Sequence, residues 1–141
     1  MTAPRLESVD FAGKPVTAGG ATGSPYALVF LAHWCPHCQA EVPRLVAWLA
    51  DHQVPDGVDL VAVSTAIDPA RPNFPPSEWL DREGWAQPTL IDDAAYTAYR
   101  ALGQLTFPGF VFVTADGRVS LRTTGELDVG TFGDILEELA P

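Results

Sequence analysis

Hydrophobic residues along this chain fall into two patterns. Short unbroken apolar runs bounded by turn-formers, "YALVFLA" (26–32) and "VDLVAVST" (58–65), read as strands buried on both faces, the pattern of a mostly parallel sheet. Between them, Val42, Leu45, Val46 and Leu49 recur at helical spacing within a segment running from Pro36 to His52, which "VPDG" terminates. Strand, helix and strand make a βαβ unit, for which a right-handed crossover is expected.

The flanking segments extend this unit on both sides. "RLESVDFAGKPVTAGGATGS" (5–24) reads as two short strands around a turn at Gly13-Lys14, followed by a Gly-rich loop. "AIDPARPNFPPSEWLDREGW" (66–85) opens as a proline-rich loop, with Ser77 as the expected N-cap of a short helix from Glu78 to Glu83. "PTLIDD" (88–93) reads as a short strand, and "AAYTAYRALG" (94–103) as a helix closing at Gly103. "GFVFVT" (109–114) and "RVSLRTTG" (118–125) form a hairpin around Asp116-Gly117. The last segment, 128–140, is a helix capped by Asp128, with Val129, Phe132, Ile135, Leu136 and Leu139 on its core-facing stripe. The order ββ, βαβ, αβα, ββα predicts an α/β fold, one sheet between layers of helices, in a single domain over 1–141.

Composition narrows the function. With 47% hydrophobic and 18% charged residues the chain belongs to the globular class and needs no disulfide framework to fold. Its net charge of −10 and single lysine, Lys14, argue against nucleic-acid binding, which needs a basic patch. The longest apolar run, 26–32, is strand-sized and far short of the roughly 20 residues of a membrane span. "MTAPRLESVD" lacks the basic and apolar regions of a secretory leader, which fits either a cytoplasmic protein or one working outside the cytoplasm with its leader removed.

Both cysteines lie in "HWCPHCQAEVP" (33–43), three positions apart. Cys35 falls where a buried strand gives way to a helix, so unpaired N–H groups and the positive end of the helix dipole favour a thiolate there. Cys38, one turn later, can attack a mixed disulfide formed at Cys35 and release the substrate. Pro36 suits the first helical position, and the ring of His37 favours the thiolate. A structural disulfide closing so short a loop would constrain the unfolded chain little. Tetrahedral zinc needs four ligands, and His33, His37 and His52 are the only further candidates of its usual soft set. Gln39 stands where haem attachment needs histidine. Two alternatives stay open beside redox exchange: a soft-metal module binding copper through the two thiols, and a thiol peroxidase, although Ala32 and Leu28 occupy the positions where peroxiredoxins carry threonine or serine and proline. No cofactor or metal is otherwise expected.

Trp34, Cys35, Cys38, Glu41 and Pro43 make up the pattern W-C-x-x-C-x-x-E-x-P, and with "DFAGKPV", "PTLIDDAAYTAYRALG" and "FPGFVFVTADGRV" they cover nearly the whole chain. In these stretches the chain resembles the thioredoxin fold and, within it, the TlpA/ResA-like thiol-disulfide oxidoreductases. The resemblance implies a central mixed sheet flanked by helices on both faces with an N-terminal β-hairpin extension. It implies a monomer that exchanges with protein thiols or disulfides and a redox partner protein, in an extracytoplasmic setting. By the same likeness Pro108 would be a cis-proline facing the cysteines, and Phe107 would offer backbone hydrogen bonds to a bound peptide, though relatives usually carry a small or β-branched residue there. Glu41 would shuttle the proton of Cys38, since Val29 occupies the place of the buried aspartate of ordinary thioredoxins; a surface glutamate is the competing reading. Trp34 would line the site's rim. His33 departs from the pattern and is expected either to add to thiolate stabilisation or to be solvated. Trp79 and Trp85 read as core anchors. The fold relatives imply a reductant and the Pro-His dipeptide an oxidant of the DsbA kind, although 66–85 is too short for the helical insertion of that branch.

Overall fold

The computed structural model describes residues 1–102 and 106–141. A two-stranded antiparallel hairpin, β1 (Leu6–Val9) and β2 (Pro15–Ala18), precedes a five-stranded sheet built from β3 (Tyr26–Leu31), β4 (Asp59–Ser64), β5 (Thr89–Ile91), β6 (Gly109–Val113) and β7 (Val119–Thr124). The sheet order is β5-β4-β3-β6-β7, with β3, β4 and β5 parallel and β6 and β7 antiparallel, so the sheet is mixed as expected. Helices α1 (Pro36–Asp51), α2 (Pro76–Arg82), α3 (Thr97–Ala101) and α4 (Val129–Leu139) occupy the crossovers and the C-terminus.

Strand alternation divides the core between the two faces of the sheet. Ala27, Val29 and Leu31 of β3, with Phe110 and Phe112 of β6, pack with Val42 and Leu45 of α1, Trp79 and Leu80 of α2, and Phe132 and Leu136 of α4. Tyr26, Leu28 and Phe30, with Val111 and Val113, pack on the other face with Ala98 of α3 and with Leu6 and Ala18 of the hairpin. Every residue of β3 is buried, which is why its sequence lacks the alternation of a half-exposed strand. The expected stripe on α4 is realised, with Phe132 and Leu136 fully buried and Val129, Ile135 and Leu139 packed at its margin. The α1 and α4 helices approach closely at Gly133, where a Cβ would come within 2.8 Å of the Trp48 ring. Trp79 and Trp85 are core residues, and the indole N–H of Trp85 donates to Thr89 Oγ1 at 3.2 Å.

Two helix starts differ from the expectation. The α2 helix begins at Pro76, not Glu78, with Pro75 at the N-cap and no side-chain cap, so Ser77 lies inside the first turn. Pro76 at the first helical position lacks only an N–H that would be unpaired anyway, and its fixed φ starts the helix without a hydroxyl. The α3 helix begins at Thr97 rather than residue 94, because Asp92 and Asp93 gather the backbone N–H groups ahead of it: Asp93 Oδ1 accepts from Ala95 and Thr97, and Asp92 Oδ1 from Ala98. Gly103, the expected end of this helix, lies outside the described residues. Asp128 caps α4 as expected, accepting from Thr131 N–H at 3.1 Å.

Phe132 touches Trp48, Phe110 and Phe112, tying α4 to α1 and to the sheet. Phe132→Ala is expected to lower unfolding free energy by about 3–5 kcal/mol, as read from the midpoint and slope of denaturant unfolding.

Candidate active site

The loop leaving β3 turns at once into α1. Cys35 N–H donates to Ala32 C=O at 3.1 Å, Cys35 takes extended backbone angles at the N-cap, and its carbonyl accepts the first helical bond from Gln39 N–H at 3.0 Å. Pro36 occupies the first helical position. His37 and Cys38 follow in the turn whose N–H groups have no partner within the helix, directed at the N-cap residue. Both cysteines are free thiols.

The two sulfurs have different surroundings. Cys35 is 8% exposed, and its Sγ lies 3.7 Å from Phe107 C=O across the cleft. Cys38 is fully buried, its Sγ accepting from Ala32 N–H at 3.5 Å. Burial pushes the Cys38 thiol well above its ordinary range, and the charges of Cys35 and Glu41 push the same way, outweighing the Ala32 bond. Of the two buried cysteines, Cys35 is therefore the one nearer the surface, and Cys38 holds its proton.

Glu41 is fully buried, against the surface reading. It lies three residues after Cys38 on α1, hence on the same face of the helix. One carboxylate oxygen, Oε2, accepts from Leu127 N–H in the β7–α4 loop; the other, Oε1, is buried with no hydrogen-bond partner among the described residues. Burial raises the Glu41 carboxyl above the usual range, opposed by the Leu127 bond and by the Arg44 charge. Val29, at the place of the absent aspartate, is fully buried among apolar neighbours.

Phe107 and Pro108 stand opposite the cysteines, joined by a cis peptide bond. The Phe107 ring meets the Trp34 ring edge to face, with centroids 6.1 Å apart. Trp34 N–H donates to Ala66 C=O at 2.8 Å, so the indole lies along the rim between Phe107 and the proline-rich loop. The ring of His37 meets the loop ahead of α4: its Nδ1 lies 2.7 Å from Glu126 Oε2, and Arg44 binds the other oxygen of the same carboxylate. Hydrogen bonds from His37, then Arg44, hold the Glu126 carboxyl below its ordinary range.

His33 is neither solvated nor beside the thiol. It is fully buried, with Nδ1 donating to Pro72 C=O at 2.6 Å and Nε2 accepting from Asp68 N–H at 3.1 Å, which sets the tautomer. Its carbonyl accepts from Gln39 Nε2 and Asn73 Nδ2, both at 3.3 Å. Residues 66–73 are thereby fastened to the active-site loop. Sequence reading missed Ala66, Asp68, Arg71, Pro72, Glu126 and Leu127 as neighbours of the site. They lie in two loops without periodicity, and only the density of prolines in 66–76 marks one of them.

This arrangement, a pair of cysteines at the strand-to-helix junction of a mixed sheet with a cis-proline opposite, defines a thioredoxin-like protein. The chain belongs to the Redoxin family, whose sequence pattern matches residues 1–139. It is 28% identical over 109 residues to the soluble secreted antigen MPT53 of Mycobacterium tuberculosis, a match covering 73% of this chain and 63% of that protein's length. Its fold is shared with a secreted M. tuberculosis disulfide oxidoreductase homologous to E. coli DsbE, at 23% identity and TM-score 0.76 over 95% of this chain and 96% of that one. StoA from Bacillus subtilis superposes with TM-score 0.76 at 17% identity, over 93% and 95% of the chains. A thiol:disulfide interchange protein of Chlorobium tepidum superposes with TM-score 0.78 at 23% identity, over 99% and 95%.

Because the folded state raises the Glu41 carboxyl, it favours the protonated form; that contribution is present at acid pH and lost as pH rises through the raised value. Glu41→Gln, which cannot ionise, is therefore expected to gain stability relative to the parent as pH goes from 4 to 8. Paired thermal melts across that range measure the stability of the Gln variant minus that of the parent, and a difference that stays constant or falls as pH rises contradicts the assignment.

Proposed function

We propose that the protein is a thiol-disulfide oxidoreductase acting on protein thiols and disulfides. The observation that carries this reading is the unequal burial of the pair at the start of α1, where Cys35 is buried but keeps 8% exposure and Cys38 is fully sealed. Membership of the Redoxin family and the shared fold of the disulfide oxidoreductases support it.

In the reducing direction, the Cys35 thiolate attacks one sulfur of a substrate disulfide, forming the Cys35–substrate bond and expelling the other substrate sulfur as a thiolate, which takes a proton. Cys38 then gives up its proton and attacks Cys35 Sγ. The mixed disulfide breaks, the second substrate thiolate leaves and is protonated, and the protein carries a Cys35–Cys38 disulfide: two electrons and two protons have passed to the substrate. The reverse sequence oxidises a dithiol. Cys38 must lose its proton in an apolar setting, and Glu41, with Oε1 unpaired on the same helix face, is the acceptor in this reading. The N–H groups of the first turn of α1 are directed at Cys35, and Phe107 and Pro108 present backbone to the substrate chain. Both mycobacterial relatives are described as secreted, which supports a site of action outside the cytoplasm, and no described helix is long and apolar enough to cross a membrane.

Cys35→Ser is expected to abolish exchange with a model disulfide, and Cys38→Ser to accumulate a protein–substrate mixed disulfide, visible as a mass adduct released by dithiothreitol. Retention of the parent rate by Cys35→Ser would sink the proposal. Limited alkylation followed by peptide mapping should label Cys35 well before Cys38.

A further inference from the structure

The redox chemistry leaves one feature of the rim unused. Arg71, in the proline-rich loop, holds its guanidinium carbon 4.2 Å from the centroid of the Trp34 ring, next to the outer cysteine in sequence. Asp68 Oδ2 meets Arg71 Nε at 3.3 Å, while Asp68 Oδ1 is occupied by Ala70 N–H at 2.9 Å. The side chain of Arg71 is 52% exposed, and among the described residues its two terminal nitrogens take part in no hydrogen bond. The other basic side chains at the start of α1 differ from it, since His37 and Arg44 share the carboxylate of Glu126.

The loop beneath Arg71 is held at several points. His33 binds Asp68 and Pro72, Trp34 binds Ala66 C=O, and Asn73 binds His33 C=O. Ala66 takes a φ of +52°, a left-handed conformation that a residue with a Cβ keeps only where its surroundings impose it. An arginine whose loop is clamped and whose plane rests on an aromatic ring loses less freedom when it binds than a mobile surface arginine does. A planar fork of N–H donors in that position is matched by a carboxylate, which can accept two of them together.

We infer that Arg71 is a specificity-determining residue that selects protein substrates carrying an aspartate or glutamate close to the reacting cysteine. The inference rests on the oxidoreductase reading above and names its substrate class. A net charge of −10 repels acidic partners at a distance, but at physiological ionic strength that repulsion is screened beyond about 8 Å. Selection is then decided in contact, where Arg71 stands on the face of Trp34 and the rings of Trp34 and Phe107 supply apolar surface beside it.

The test uses two disulfide-bonded peptides identical except that the cysteines are flanked by glutamate in one and lysine in the other. The quantity read is the ratio of their kcat/KM values. Relative to the parent, Arg71→Gln should lower the glutamate-to-lysine ratio about threefold, in the range measured for exposed ion pairs. Arg71→Glu should lower it about tenfold, roughly that effect applied twice, whereas Arg71→Lys, which keeps the charge but not the planar fork, should fall between Arg71→Gln and the parent. Raising NaCl to about 0.5 M should shrink the differences between variants. A purely structural role for Arg71 would slow both peptides alike and leave the ratio unchanged, and an unchanged ratio in Arg71→Glu overturns this inference alone. Failure of the folded parent protein to exchange even with the small neutral hydroxyethyl disulfide overturns the oxidoreductase reading and this inference with it.

Discussion

The site depends on β3 being buried on both faces. Six consecutive apolar side chains alternate between two cores, so the strand can neither slide nor rotate without exposing one set and stranding the other. Its end is therefore a fixed point, and the short turn from Ala32 to Cys35 carries that fixity to the sulfur. The antiparallel register does the rest. Because Phe30 pairs with Gly109, the residues just before β6 must lie beside the residues just after β3, which brings Phe107 and Pro108 opposite Cys35 although more than seventy positions separate them in the chain.

A second consequence of the same packing is chemical asymmetry. The α1 helix lies against the face of the sheet that holds Val29 and Leu31, so its inward stripe, which includes Cys38, Glu41, Val42 and Leu45, is removed from water. Two of those four residues are ionisable, and burial pushes both toward their protonated forms. Glu41 is tolerated there because Leu127 N–H satisfies one oxygen, and the tie also fastens the loop that leads into α4. Glu126 adds to it from outside by gathering His37 and Arg44. The start of α1 and the β7–α4 loop are thereby joined through one buried and one exposed carboxylate, and the ring of His37 takes its direction from that loop.

The opposite wall of the cleft is built by a different device. A proline-rich segment cannot offer a ladder of N–H donors, so it is held by side chains reaching out from the active-site loop: the two ring nitrogens of His33 and the indole N–H of Trp34. This explains why a buried histidine stands immediately before the Trp-Cys pair. It joins the loop that carries the sulfur to the loop that carries Arg71, and so couples the reacting group to the surface a substrate would meet.

Strand and helix order, the βαβ unit, the Asp128 cap, the stripe on α4 and the cysteines at a strand-to-helix junction were all legible in the chain, because each follows from periodicity or from a local preference acting over a few residues. The helix starts differ from expectation by two residues at Pro76 and three at Thr97, where an N-terminal proline and the side chains of Asp92 and Asp93 compete locally with the expected starts. What only the tertiary structure decided is where polar side chains turn once several directions are sterically open. His33 could have faced water or the thiol and instead faces the 66–75 loop; Glu41 could have been a surface glutamate and is sealed; His37 turns to Glu126, 89 positions away. Periodicity determines which face of an element is buried, but the partner of a buried or half-buried polar atom is chosen by whichever distant loop comes within hydrogen-bond reach, and that choice exists only after the sheet has closed.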